Sequence, residues 1–120
     1  MTYPNLARIT IYTRKIDEMI AFYADHFGYR AHIDPDDRIV ELTPPHSGAI
    51  LMLHPLAKSR KAGQTLVKLG FDVENVPAFI EKSAQNGLTF GPVHRADGYV
   101  FSNAKDPAGN AISITSRAYR

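Results

Sequence analysis

The chain has no cysteine, which excludes disulfides, thiolate metal sites and a cysteine nucleophile, and fits a reducing cytoplasm. It has no long apolar run either. The longest, Ala49 to Leu53, falls far short of the roughly 20 residues a membrane-spanning helix needs. A dominant charge is missing: 14 Lys and Arg stand against 12 Asp and Glu, a formal +2. The basic residues are scattered, so a pI near 9.0 gives little support to a nucleic-acid or membrane partner. Met1-Thr2-Tyr3-Pro4-Asn5 lacks the charged and apolar regions of a signal peptide, and the expected location is cytoplasmic. Glycine-rich phosphate loops are absent, because Asp106 to Asn110 holds one glycine and leads into a strand. Ser113 lies in no nucleophile elbow, and the histidines at 26, 32, 46, 54 and 94 form no recognised metal-ligand spacing.

What is present is globular. With 120 residues, 44% apolar and 22% charged, the chain can bury a core as one domain or as two halves sharing one. The most informative stretch is Asp106-Pro107-Ala108-Gly109-Asn110 followed by Ala111-Ile112-Ser113-Ile114-Thr115. Proline presets φ, glycine accepts positive φ, and Asp and Asn bond their own backbone, so the first five residues predict a tight turn. Strict alternation then predicts a half-buried strand.

The same order of elements occurs twice. Arg8 to Thr13 alternates as a strand, Ile16 to Phe27 carries a helical apolar stripe, and Gly28 ends it. Strands follow at Tyr29 to Ile33, Arg38 to Thr43 and Ala49 to His54. Leu56 to Thr65 is polar and basic, a solvated linker. Leu66 to Val73 then reads as a strand. Asn75 caps a helix with Phe79, Ile80 and Ala84 on its core face, and Gly87 ends that helix. Strands follow at Leu88 to His94, Gly98 to Ala104 and Ala111 to Thr115. The chain is a βαβββ unit written twice, with Arg8 answering to Lys68, Gly28 to Gly87 and Met52 to Ser113. One helix covers one face of a four-stranded sheet. The uncovered faces must enclose a concavity or pair with another chain, and a concavity is where small ligands bind.

The opening strand through Ile16-Asp17, then Ala21-Phe22-Tyr23, Phe27-Gly28-Tyr29, Phe71-Asp72-Val73, Val76 to Gly87 and above all Asp106 to Asn110 resemble the vicinal oxygen chelate superfamily. That superfamily includes glyoxalase I, extradiol dioxygenases and bleomycin-resistance proteins. The resemblance implies an α+β fold: two tandem βαβββ units in a cup-shaped, mostly antiparallel curved sheet with helices outside. Residues 6–55 and 66–117 are the units, 56–65 the linker, and 1–120 a single glyoxalase-like domain. It also implies where a divalent metal would sit in the enzymes, on positions that fall here at Arg8, Met52, Lys68 and Ser113. Arg and Lys offer no lone pair near neutral pH, Met is a soft weak ligand and a lone Ser hydroxyl a poor one. No metal and no other cofactor is therefore expected.

His26 beside Asp25 and His46 in a proline-rich turn read as solvated, while His32 and His94 fall in strands whose orientation the sequence leaves open. Alternation points His54 the same way as Met52. Arg8 and Lys68 offer a cationic anchor for a carboxylate, phosphate or enolate, or else extend to solvent or pair with Asp72 or another acid. Tyr12, Asp72 and His54 form a possible proton-moving cluster, and Met52, Tyr99 and Phe101 an apolar wall. The reading is a small-molecule binder for an anionic or aromatic ligand, in a homodimer. Arg8, Tyr12, Met52, His54, Lys68, Phe101 and Ser113 are its contact residues. The rivals are a superfamily lyase, isomerase or dioxygenase using a divalent metal or acid–base groups, and a protein-interaction module.

Overall fold

The structure, a computed structural model, describes residues 6–63 and 67–120. The strand start expected at Leu66, the last two linker residues and the first five residues lie outside these. The chain divides into two compact units that part between Ala62 and Gly63. Among the described residues each unit holds one α-helix and one four-stranded sheet.

The first unit runs β1 (Arg8–Thr13), α1 (Ile16–Phe27), β2 (Arg30–His32), β3 (Val40–Thr43) and β4 (Ile50–Pro55), in sheet order β1-β4-β3-β2. β1 pairs parallel with β4, and the other two pairings are antiparallel. Asp17 and Glu18 occupy the positive end of α1, and Gly28 closes it at φ 70°. That left-handed conformation costs glycine little. Met19, Phe22 and Tyr23 of α1 are buried with Ile11, Val40, Leu42, Leu51 and Leu53 of the strands. Alternation therefore gives each strand a helix-facing apolar side and a helix-free side. The linker is tied down at its start, where Arg14 Nη2 donates to the carbonyls of Ala57 and Arg60, each at 2.6 Å.

Tyr29 follows α1 and donates its hydroxyl to the Ala49 carbonyl at 3.1 Å. Desolvation raises its phenol above the usual 10.0. A folded value above the unfolded one favours the protonated phenol in the folded state, so this contribution to stability is complete below pH 10. It is lost as pH rises through the folded value. Wild-type protein should therefore lose stability more steeply than Tyr29→Phe above pH 10, as measured by denaturant titration. Parallel curves would remove Tyr29 as the source.

The second unit runs β5 (Lys68–Asp72), α2 (Val76–Gln85), β6 (His94–Arg95), β7 (Val100–Lys105) and β8 (Ala111–Thr115), and ends in a 3-10 turn, Arg117–Tyr119. Its order, β5-β8-β7-β6, repeats the first, again with one parallel and two antiparallel pairings. The Asn75 side chain accepts from the Ala78 amide at 3.1 Å, capping α2. Two expectations need correction. The strand expected over Leu88 to His94 is reduced to His94–Arg95. Leu88 and Phe90 are buried as the alternation requires, but Pro92 has no amide to continue a ladder. Gly91 is held instead by its amide to the Asn103 carbonyl and by the Ser102 hydroxyl donating to its own carbonyl, 2.9 and 2.8 Å. On α2, Ala84 is exposed and Ser83 buried. The inward face is the i, i+3, i+4, i+7 set Val76, Phe79, Ile80 and Ser83.

The turn before β8 forms as expected. Asp106 and Asn110 are buried, and Asp106 Oδ1 accepts from the amides of Ala108 and Asn110 at 2.9 Å each. The Asn110 amide group donates to both carboxylate oxygens at 3.2 and 3.0 Å. Gly109 takes φ 86°.

Candidate functional site

In the first unit β1 and β4 pair Arg8 with Ile50, Thr10 with Met52 and Tyr12 with His54, and β3 sets Glu41 opposite Met52. Register partners share a face, so Arg8, Tyr12, Met52 and His54 stand together on the helix-free side, as alternation predicts. Arg8 does not stand there as a free cation. Its Nη1 reaches Glu41 Oε1 at 2.8 Å, across the intervening β4, and lies 3.3 Å from the Met52 sulfur. Glu41 is a site residue that the sequence reading missed.

His54 Nδ1 lies 2.8 Å from the Pro55 carbonyl. A carbonyl only accepts, so Nδ1 carries the hydrogen, and in the neutral ring the lone pair then sits on Nε2. The His54 and Tyr12 rings pack at a tilt of 43° with centroids 4.8 Å apart. Two of the three proton-moving candidates therefore meet. Asp72 belongs to the other unit, where it pairs in register with Thr115.

In the second unit Lys68 pairs with Ala111 and Gly70 with Ser113, while β7 sets Asn103 opposite Ser113 and Phe101 opposite Thr115. Lys68, Asp72, Phe101 and Ser113 share the helix-free face. Lys68 Nζ donates to Asn103 Oδ1 at 3.0 Å, the same reach over β8 that Arg8 makes over β4. Ser113 has the expected orientation but is only 7% exposed, as the short side chain beside Asn103. His94 joins this face, its ring 5.1 Å from Phe101, and Tyr99 continues the row at 6.2 Å from Phe101 under the Arg117 guanidinium. Of the other histidines, His32 bonds Thr43 Oγ1 through Nε2 at 3.0 Å and His26 packs on Phe22.

The donors at Arg8, Met52, Lys68 and Ser113 do not fit a divalent cation. Two are cationic, one of them already bonded to the Met52 sulfur. Among the described residues no three His, Asp or Glu side chains gather closely enough to hold an ion.

The sequence profile of the Glyoxalase/Bleomycin resistance protein/Dioxygenase superfamily matches residues 5–114. The chain belongs to that superfamily. Solved structures agree in fold. UcmS2 is 20% identical with a TM-score of 0.78, over 96% of this chain and 99% of that one. TnmS3, an antibiotic binding protein from Streptomyces sp. CB03234, is 16% identical with a TM-score of 0.79, over 95% and 96%. A lactoylglutathione lyase from Agrobacterium tumefaciens is 17% identical with a TM-score of 0.72, over 96% and 95%. No curated protein matches the sequence. Binding proteins and an enzyme thus share this superfamily's fold, and side chains rather than topology must decide between them. No helix among the described residues is long and apolar enough to cross a membrane.

Proposed function

We propose that this superfamily member binds a small anionic or aromatic organic molecule on its helix-free sheet faces without a divalent metal. One observation carries the reading: cations, Arg8 and Lys68, occupy positions where metal-using relatives are expected to place neutral or anionic donors. Aromatic side chains, Tyr12 and Phe101, share those faces. On such a face a cationic side chain meets the ligand's charge, Tyr12 and Met52 in the first unit or Phe101 in the second its apolar body, and His54 or Ser113 adds a polar contact. TnmS3, which shares the fold, is an antibiotic binding protein, and that supports the reading. The protein acts in this reading as a cytoplasmic homodimer.

The test is a thermal-shift screen of aryl acids, phenols and divalent metals. A ligand at a hundred times its dissociation constant stabilises the folded state by about 2.7 kcal/mol, and the shift should survive dialysis against a chelator. A stoichiometric metal whose removal abolishes the shift would overturn the reading. A second reading, a metal-independent lyase or isomerase, draws on the lone pair at His54 Nε2. It requires turnover of the bound molecule that His54→Gln abolishes.

A further inference from the structure

The two helix-free faces share one lattice and differ in what fills it. In the first unit the cation of the leading strand is neutralised, Arg8 by Glu41 at 2.8 Å. The next row is occupied by Thr10 and Met52. In the second unit the equivalent cation meets only an amide, Asn103 at 3.0 Å, and among the described residues no carboxylate lies within ion-pair distance of it. Lys105 faces the same way, because both lysines are register partners of Ala111. Neighbouring strands run about 4.8 Å apart, which puts the two lysine Cα atoms about 10 Å from each other.

Beside Lys68 on β5, the first unit's Thr10 is answered by Gly70, in the middle of the strand. Its φ is not positive, so its backbone conformation does not call for glycine. A Cβ built there meets nothing within 4 Å. A strand glycine without a conformational reason often marks a place where a ligand or another backbone approaches closely. The aromatic row of Phe101 and His94 lies beyond it on the same face.

We infer that the ligand's charge is read by the second unit alone: Lys68, poised by Asn103, takes the anionic group of an aryl acid whose ring lies over Gly70 toward Phe101. Arg8 and Glu41 form a neutral pair that takes no ligand charge. The inference rests on the proposed function and narrows it. The two cations look interchangeable in sequence, and their partners on the third strand of each unit separate them. A carboxylate at position 103 would make the second face a copy of the first.

Calorimetric titration of 1-naphthoate and of the uncharged 1-naphthamide tests this on the full chain. Wild type should bind the acid and prefer it to the amide. Lys68→Met and Asn103→Asp should each weaken the acid by about tenfold or more, the loss of a charge-assisted hydrogen bond. They should leave binding of the amide unchanged. Gly70→Val should weaken both compounds while the melting point stays at or above the wild-type value, because valine suits a strand better than glycine. Arg8→Met should leave the preference for the acid intact. Wild-type affinity for the acid in Asn103→Asp, or loss of the acid preference in Arg8→Met alone, would overturn the assignment and leave the proposed function standing. Equal affinity for acid and amide would also overturn it. If neither compound bound wild type, this assignment would fall, and the proposed function would rest on the wider thermal-shift screen.

Discussion

Replacing Asp106 by Ala should cost about 3 kcal/mol or more and lower the melting point by roughly 10 °C, because several buried donors lose their only anionic acceptor at once. The carboxylate accepts from two backbone amides and from the Asn110 side chain, and both residues are buried. A small apolar side chain removes the acceptor and leaves the buried amides of Ala108 and Asn110 without it. Asp106→Asn keeps one acceptor oxygen and should lose about half as much. Thermal unfolding of the two variants checks the order. If alanine and asparagine cost the same, the oxygen at Oδ1 is not what holds the turn. The effect should reach the candidate site, since this turn delivers Ala111 and Ser113 of β8 to their places between β5 and β7.

Tyr23→Ala should be comparably damaging, about 3 to 5 kcal/mol, the usual range for deleting a buried aromatic ring. Tyr23 is fully buried. Its ring meets Phe22 edge-on with centroids 5.0 Å apart and packs on Phe27 and Tyr29 at 6.1 and 6.0 Å. It therefore binds α1 to the segment that follows it. Tyr23→Leu refills part of the space and should recover a good part of the loss. Denaturant unfolding of both variants tests this. A loss below about 1 kcal/mol for the alanine variant would mean that the aromatic cluster relaxes around the gap rather than supporting the helix.

Much of this was legible from residue patterns, because local chemistry decides it. The apolar stripe from Met19 to Phe27 and the glycine after it give α1 with its boundaries. Alternation in Arg8 to Thr13 and Ala111 to Thr115 gives the parity of β1 and β8, and with it the residues that share the helix-free faces. The repeat of the whole order gives the two units. What could not be read depends on strand order. Glu41 lies 33 residues from Arg8 and Asn103 lies 35 from Lys68. Each pair meets only because the last strand of its unit is inserted between the first and the third. The parity of β3 and β7 would have placed Glu41 and Asn103 on the right faces, but alternation does not say which strands are neighbours. Of the alternatives left open at positions 8 and 68, Arg8 takes the pairing with an acid and Lys68 is held by an amide. The shortened β6 has a different origin. Leu88 and Phe90 alternate like strand residues, and the backbone answers instead to Pro92 and to the Ser102 hydroxyl.

The parallel pairing of first and last strands has a consequence for how each unit comes into being. Among the described residues β1 lies at the border of its sheet with β4 as its hydrogen-bonded neighbour, and β5 stands likewise against β8. About forty residues separate the partners, a loop whose closure entropy must be met before the pairing yields anything in return. During synthesis the opening strand of either half waits, unzipped along both flanks, until the closing strand has emerged.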